Sequence, residues 1–95
     1  MAVAFEWDHA KDVANQAKHG VALKEASTVF GDPLAWFQPD EQHSQDEERF
    51  LLLGRSSANR LLAVLFTDRG ADMIRVISAR PATPRERRKY EEDFR

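Results

Sequence analysis

Hydrophobic and polar positions recur along the chain in a pattern that predicts one strand, two helices, four strands and a final helix, in that order. Short runs rich in leucine, aromatic and β-branched residues predict strands at residues 5–7, 34–37, 49–55, 60–67 and 72–80. Residues 38–48 are polar and acidic and are expected to form a loop. This order predicts an α+β fold, in which two N-terminal helices pack on a mostly antiparallel meander sheet that a C-terminal helix follows.

The two N-terminal helices, predicted at residues 9–19 and 22–30, each carry apolar residues at helical spacing. The first helix has a narrow stripe of small side chains, which are Ala10, Val13, Ala14 and Ala17. The second helix has larger ones, which are Leu23, Ala26 and Phe30. We expect both helices to cover one face of the sheet and the other face to stay partly open, with arginines on it.

Residues suited to helix ends accompany these patterns. Asp8 can cap the first helix, and Gly20 can end it in the left-handed conformation. Thr83 and Glu86 have the spacing of a capping box for the last helix. Ala22 is a poor cap, so the start of the second helix is the weakest of the three.

The length of 95 residues and the 42% content of hydrophobic residues suit one folded domain, and we assign residues 1–95 to it. The chain has no cysteine, so neither a disulfide nor a thiolate zinc site can hold the fold. We expect no membrane span, because no apolar run is long enough, and no signal peptide, because the start lacks a basic segment before a long apolar one. The expected location is the cytoplasm.

Charge is distributed unevenly, although the formal net charge is only -2. Residues 1–48 hold three lysines and ten carboxylates, an excess of seven negative charges. Residues 49–95 hold eleven lysines or arginines and six carboxylates, an excess of five positive charges. Ten of those eleven cations are arginines, which favours bidentate contacts to phosphate or carboxylate groups. The acidic half could also simply pair with the basic half.

Candidate chemistry is concentrated where the last strand meets the last helix. Arg75 and Arg80 interrupt an otherwise apolar strand, and Tyr90 lies four residues after Glu86, so the tyrosine and the glutamate share a helix face. These groups could bind and process a phosphodiester. The same groups could equally form a salt-bridged helix on a core strand.

Alternation along the strands predicts which arginines share a face. Arg49 and Arg55 lie an even number of residues apart in one strand and should share its face. Arg75 and Arg80 lie an odd number apart, which puts them on opposite faces of a regular strand. They can converge only if a bulge or the end of the strand turns Arg80.

A series of short motifs runs in order from about Phe5 to Glu91. They are Phe5-Glu6-Trp7-Asp8, Lys18-His19-Gly20-Val21, Glu25-Ala26, Val29-Phe30, Asp32-Pro33, Glu48-Arg49-Phe50, Gly54-Arg55-Ser56, Arg75-Val76-Ile77-Ser78-Ala79-Arg80, Glu86-Arg87 and Tyr90. In this shared order and spacing, the motifs resemble the BrnT family of toxins. The sequence departs from the family pattern at His9, where a proline is common, and at Ala22, where a capping residue is usual. Both positions start helices, so the departures bear on local stability more than on activity.

This resemblance implies a RelE-like fold and an endoribonuclease toxin of a type II toxin–antitoxin pair, which cleaves RNA and inhibits translation. It also implies a partner, a DNA-binding antitoxin similar to BrnA, through which alone the toxin would contact operon DNA. We expect no cofactor and no metal, because RNA cleavage can proceed with a base, an acid and donors that stabilise the phosphorane.

Seven residues are the candidates for this chemistry: Arg80, Arg75, Arg49, Lys18, His19, Glu86 and Tyr90. The arginines would stabilise phosphate charge, because the guanidinium fork matches phosphate oxygens, and Arg80, at a strand end beside a helix start, is the first choice. Lys18, His19, Glu86 or Tyr90 would transfer protons. Three of the candidates have a structural alternative. Arg80 could pair with Glu86, His19 could serve solely to complete its helix end, and Tyr90 could pack on the sheet.

A second class of function is compatible with the same residues. The chain could be a non-catalytic module, such as a degenerate toxin, that binds a partner protein or RNA through its basic face in operon control. A stand-alone metal-dependent nuclease is disfavoured, because the basic half has no cluster of carboxylates.

Overall fold

The computed structural model describes residues 3–43 and 47–92 of the chain. The strands are β1 (Ala4–Glu6), β2 (Trp36–Pro39), β3 (Phe50–Arg55), β4 (Leu61–Gly70) and β5 (Met73–Pro81). The helices are α1 (His9–His19), α2 (Leu23–Ser27) and α3 (Pro84–Glu92), with short 3₁₀ segments at Thr28–Gly31 and Glu41–His43. All eight predicted elements are present, and the predicted second helix is divided into α2 and the 3₁₀ segment that follows it.

The strands form a single mixed sheet in the order β1-β5-β4-β3-β2. Strands β2 to β5 are paired antiparallel, but β1 runs parallel to β5 at the edge, with Phe5 opposite Ile74. The expectation of a mostly antiparallel meander is therefore wrong: the sheet is mixed. The reason is that the chain crosses over from β1 through the helices before the meander begins, which leaves the far side of β5 for β1 to join.

The larger hydrophobic core lies on the first face of the sheet, beneath α2. Leu23 and Ala26 of α2 are fully buried there, against Leu62 and Val64 of the central strand. Asp12 of α1 stabilises the weak start of α2, because its Oδ1 accepts a hydrogen bond from the amide of Leu23 at 2.9 Å. A carboxylate from another helix therefore supplies the cap that Ala22 lacks.

Helix α1 is arranged differently from the prediction. The side chains of its small apolar stripe are exposed, with Val13 55% exposed, and its buried residue is instead Asn15. Helix α1 packs beside the part of β5 that the short edge strand β1 does not cover, and this polar residue hydrogen-bonds to β5 there. The expectation that both helices cover the sheet with apolar stripes is therefore correct for α2 and wrong for α1.

The second face of the sheet holds a smaller core, which α3 covers at one end. Tyr90 of α3 is only 2% exposed and packs with Leu53, Leu61 and Ala63. This face also carries the arginines of β3 and β5, as predicted. None of the described helices has the length and apolarity needed to cross a membrane.

Two connections differ from the predicted ones. The turn between β4 and β5 is formed by Ala71 and Asp72, both with positive φ, so β4 continues through the predicted turn. The predicted loop at residues 38–48 begins inside β2 and contains the second 3₁₀ segment. Residues 44–46 of that predicted loop lie outside the described part of the chain.

Candidate functional site

A β-bulge brings the arginines of β5 onto one face. Ser78 lies opposite Leu65 of β4, but the next residue of β4 lies opposite Val76, so Ile77 is an extra residue in β5. Arg80 lies opposite Ala63 and Arg75 opposite Thr67, and these two β4 positions are an even number apart. Both arginines therefore lie on the second face, which satisfies the condition that alternation set for their convergence.

Arg80 lines a cavity of about 230 Å³ on this face, which we call the Arg80 cavity. The other residues that line it are His19, Asp40, Leu51, Ala63, Leu65, Ser78 and Ala79. Two of the predicted site residues, Arg80 and His19, are thus brought together from elements far apart in sequence. An anion bound here would contact a cation from the strand end and an imidazole from the end of α1.

Asn15 fixes the end of α1 against this part of β5. Its side-chain amide donates to the carbonyl oxygens of Val21, at 2.7 Å, and Ala79, at 2.9 Å. Its Oδ1 accepts from the amide of Ala79 at 3.1 Å. The Asn15 side chain therefore pairs with β5 beyond the short strand β1, as a neighbouring strand would. This pairing places His19, one helical turn later, beside Ser78.

Lys18 lies beside the same cavity without lining it. A second depression of about 330 Å³ is lined by Lys18, His19 and Ser78 together with Lys11, Ala14, Asn15 and Ile77. His19 and Ser78 belong to both depressions, so the two adjoin. The Lys18 ammonium can therefore interact with the same bound group as His19 from the rim.

Arg80 is held by Glu86 of α3. The two carboxylate oxygens of Glu86 accept from the Arg80 guanidinium at 2.7 Å and 3.0 Å, and Oε1 also accepts from the Thr83 amide at 2.9 Å. Thr83 Oγ1 accepts from the Glu86 amide at 3.1 Å, which confirms the predicted capping box. The hydrogen bond from Arg80 lowers the pKa of Glu86 although burial opposes this, and the same pairing raises the pKa of Arg80. Glu86 is thus an ionised carboxylate that orients Arg80.

Arg75 and Arg49 lie further along the same face. Arg75 donates to Glu6 of β1 at 2.8 Å, with a third of its side chain exposed. Arg75 and Arg80 are four β4 positions apart, which is ~13 Å at the usual rise of a strand. Arg49 immediately precedes β3, on the same face by alternation, and its carbonyl accepts from the Asp40 amide at 2.8 Å. The two guanidinium groups are held by different carboxylates, Arg75 by Glu6 and Arg80 by Glu86.

Tyr90 lies apart from the Arg80 cavity. Its hydroxyl donates to Asp32 Oδ2 at 2.7 Å, and the same oxygen accepts from the Arg55 amide at 2.8 Å. Burial, reinforced by the hydrogen bond to Asp32, raises the pKa of Tyr90 to about 12. The tyrosine ring packs in the smaller core on the second face, and its hydroxyl links α3 through Asp32 to the end of β3. Tyr90 therefore has a structural role.

Sequence reasoning missed three residues around the cavity. Ser78 and Asp40 line it, and Asn15 positions its wall. Ser78 could have been noticed as a small polar residue between two arginines in an apolar strand. Asn15 could have been noticed as a side-chain amide in the middle of a predicted helix. Asp40 gave no signal, because it lay in a loop of many acids. Among the described residues, no three His, Cys, Asp or Glu side chains form a group that could hold a metal ion.

Comparisons with known proteins identify the family and the fold of the chain. A family model described as the ribonuclease toxin, BrnT, of a type II toxin–antitoxin system matches residues 7–86. The crystal structure of the Brucella abortus ribonuclease toxin, BrnT, at 1.1 Å resolution, is similar in fold, with a TM-score of 0.67 and 25% sequence identity. The similarity covers 86% of this chain and 99% of that one. No protein of curated function matches the chain.

Proposed function

Because the chain belongs to the BrnT family of ribonuclease toxins of type II toxin–antitoxin systems, we propose that it is a metal-independent endoribonuclease with its active centre in the Arg80 cavity. The protein has a RelE-like fold, and its cleavage of RNA arrests translation in the cytoplasm. A BrnA-like antitoxin neutralises it and binds the operon DNA for both proteins.

The observation that carries this proposal is the placement of Arg80 and His19 on one cavity. The Arg80 guanidinium lies at the end of β5, and the His19 imidazole lines the cavity from the end of α1. Cleavage within an RNA chain requires a group that takes a proton beside a group that stabilises phosphate charge, and this pair provides both.

In the proposed reaction, the imidazole of His19 takes the proton of a ribose 2′-hydroxyl. The 2′-oxygen attacks the adjacent phosphorus, the bond from phosphorus to the 5′-oxygen breaks, and a 2′,3′-cyclic phosphate forms. Arg80 donates to the phosphate oxygens, whose negative charge grows in the transition state. Lys18, at the rim, supplies a proton to the departing 5′-oxygen, so both proton transfers use the end of α1.

Glu86 acts in this scheme as a positioning residue. Its two oxygens hold the Arg80 guanidinium in one orientation, and its own position is fixed by the capping box with Thr83. Arg75 and Arg49 lie further along the same face and would bind neighbouring phosphates of the RNA chain. Tyr90 has no part in the scheme, because its hydroxyl is committed to Asp32.

One observation favours the alternative of a non-catalytic module. The bidentate contact with Glu86 neutralises Arg80, so a phosphate must share or displace that carboxylate. A degenerate toxin could retain this pair for stability and bind RNA or a partner protein through the rest of its basic face.

The test is cleavage of end-labelled RNA in excess EDTA, with and without added ribosomes. We expect wild-type protein to produce ends with 2′,3′-cyclic phosphate, and Arg80→Ala and His19→Gln to cleave ~10²-fold or more slowly. Arg80→Lys separates charge from the planar fork. Arg87→Ala is the matched control, because Arg87 is an exposed arginine on α3 that lines no cavity described here.

Equal cleavage by wild-type protein, Arg80→Ala and Arg87→Ala, all folded by circular dichroism, would remove the active centre from this cavity. A requirement for Mg²⁺ would contradict metal independence. If wild-type protein cleaves under neither condition and its induction leaves growth unchanged, the non-catalytic module is the correct function.

A further inference from the structure

Five phenylalanines form one continuous row on the first face of the sheet, away from the Arg80 cavity. The members of the row in contact order are Phe5, Phe30, Phe66, Phe50 and Phe37. Neighbouring ring centroids are 4.9 to 5.9 Å apart, so every ring touches the next. The row crosses the sheet from the edge strand β1 to the edge strand β2.

Helix α2 leaves part of this row uncovered. Phe37, at the end of the row on β2, is 62% exposed. Val3, beside the other end, is 48% exposed. These two exposed side chains lie at opposite ends of the row, and the rings between them are buried or half-buried. Exposed apolar side chains that border an apolar depression are typical of an interaction site.

The uncovered part has the shape of a groove. A depression of about 370 Å³ at the Phe37 end and one of about 430 Å³ at the Val3 end share Phe30 and Ile74 in their walls. We call these two depressions together the aromatic groove. Most of its lining is apolar, with Ser27 and Thr28 at the Val3 end, and the charged groups among its lining residues are two carboxylates, those of Asp32 and Asp68.

We propose that the aromatic groove is the anchoring site of the antitoxin, which inserts a segment with two bulky apolar side chains and at least one lysine or arginine. The apolar anchors would occupy the two depressions, and the basic residue would lie beside Asp68, because the Asp32 carboxylate already accepts from Tyr90, Arg55 and Leu34. This inference rests on the proposed function, because it takes the occupant to be the partner of a toxin–antitoxin pair.

The location has a consequence for neutralisation. Phe37 lies opposite Leu52, whose side chain is in the core of the first face, whereas Arg80 and Ala63 lie on the second face. The groove therefore anchors the antitoxin without occupying the Arg80 cavity. Affinity for the antitoxin and RNA cleavage should be separable by mutation, since no residue of the groove lines the Arg80 cavity.

The experiment measures the Kd of the purified protein for the antitoxin encoded beside it, by calorimetry at two salt concentrations. Phe37→Thr removes the exposed ring and keeps a residue suited to a strand. Asp68 Oδ1 accepts a hydrogen bond from the Gly70 amide at 2.8 Å. Asp68→Asn removes one charge and keeps an oxygen that can accept this hydrogen bond. Val13→Thr is the matched control, because Val13 is also exposed, at 55%, but lies on α1 outside the groove.

We expect Phe37→Thr to weaken binding at least about tenfold, as the loss of an aromatic anchor at an interface does, with RNA cleavage unchanged. Asp68→Asn should reduce the salt dependence of the Kd, and Val13→Thr should leave the Kd unchanged. An unchanged Kd for Phe37→Thr would overturn the proposal even if wild-type protein cleaves RNA. Weakened binding with no cleavage by wild-type protein would support the groove and refute the ribonuclease proposal.

The same variants distinguish a second possible occupant. If Phe37→Thr converts a dimer of the free protein to a monomer in sedimentation experiments and leaves the Kd for the antitoxin unchanged, the groove is a contact between two copies of this chain. That result also overturns the proposal.

Discussion

Replacement of Asn15 by alanine should destabilise the protein more than any other alanine substitution in α1, a helix whose side chains are mostly exposed. Asn15 is 6% exposed and makes three hydrogen bonds, two to Ala79 and one to Val21. Alanine leaves the amide and carbonyl of Ala79 and the carbonyl of Val21 without these partners. The edge of β5 beyond β1 then loses the group that substitutes for a neighbouring strand.

The expected loss can be worked out from these contacts. Three hydrogen bonds at about 1 kcal/mol each amount to ~3 kcal/mol, and the higher helix propensity of alanine restores about 0.6 kcal/mol. Water can reach the vacated groups, because Asn15 lines the depression beside Lys18, so the larger penalty of sealed polar groups does not apply. The net loss is therefore about 2.5 kcal/mol, or roughly 10–20 °C in Tm for a domain of this size.

Urea denaturation followed by circular dichroism measures this loss. Gln16→Ala is the control, because Gln16 is the next residue of the helix, is exposed and makes one side-chain hydrogen bond, to Asp12 at 3.2 Å. We expect its change in unfolding free energy to stay within about 0.5 kcal/mol. A loss below ~1 kcal/mol for Asn15→Ala would refute the view that this amide completes the sheet edge.

Two further predictions concern packing and pH. Gly54→Ala should cost about 1–3 kcal/mol by overpacking, because its Cβ would lie 2.7 Å from the Cβ of Ala35; Gly31→Ala, with nothing within 4 Å of its Cβ, should cost far less, and equal costs would contradict this. Tyr90, the single tyrosine, should ionise in the folded protein with a pKa of about 12, against about 10 in urea. Since the folded pKa is raised, the stability it contributes is complete below the unfolded pKa and is lost as pH rises through the folded pKa. An absorbance titration of tyrosinate measures both values, Tyr90→Phe removes the signal, and a folded value near 10 would contradict the buried hydrogen bond to Asp32.

Local features of the fold were predictable from the sequence, because each depends on residues a few positions apart. Asp8 accepts from the Lys11 amide, and Gly20 ends α1 with a φ of 69°, as their positions predicted. The apolar run of β4 is buried on both faces, as expected for a central strand. The order of elements and the family followed from the same kind of information, since they rest on motifs read along the chain.

Only some residues of the candidate site were predictable from the sequence, and their arrangement was not. Arg80 and His19 were singled out from the sequence, but the cavity that joins them depends on the amide of Asn15, which bonds a residue 64 positions away. The role of Tyr90 could not be decided from the sequence, because a tyrosine on a basic helix can face RNA or the core. Its partner, Asp32, lies 58 positions away.

The sequence by itself determined both ends of α1, the start of α3, the strands of the meander and the residues that can carry phosphate chemistry. Only the tertiary structure decided that β1 joins the edge of β5, that a bulge at Ile77 turns Arg75 and Arg80 to one face, and that α1 buries an amide and exposes its apolar stripe. The physical reason is that caps and turns satisfy backbone groups within one stretch of chain. Edges, bulges and buried polar groups are satisfied by whichever distant residue the packed chain brings to them.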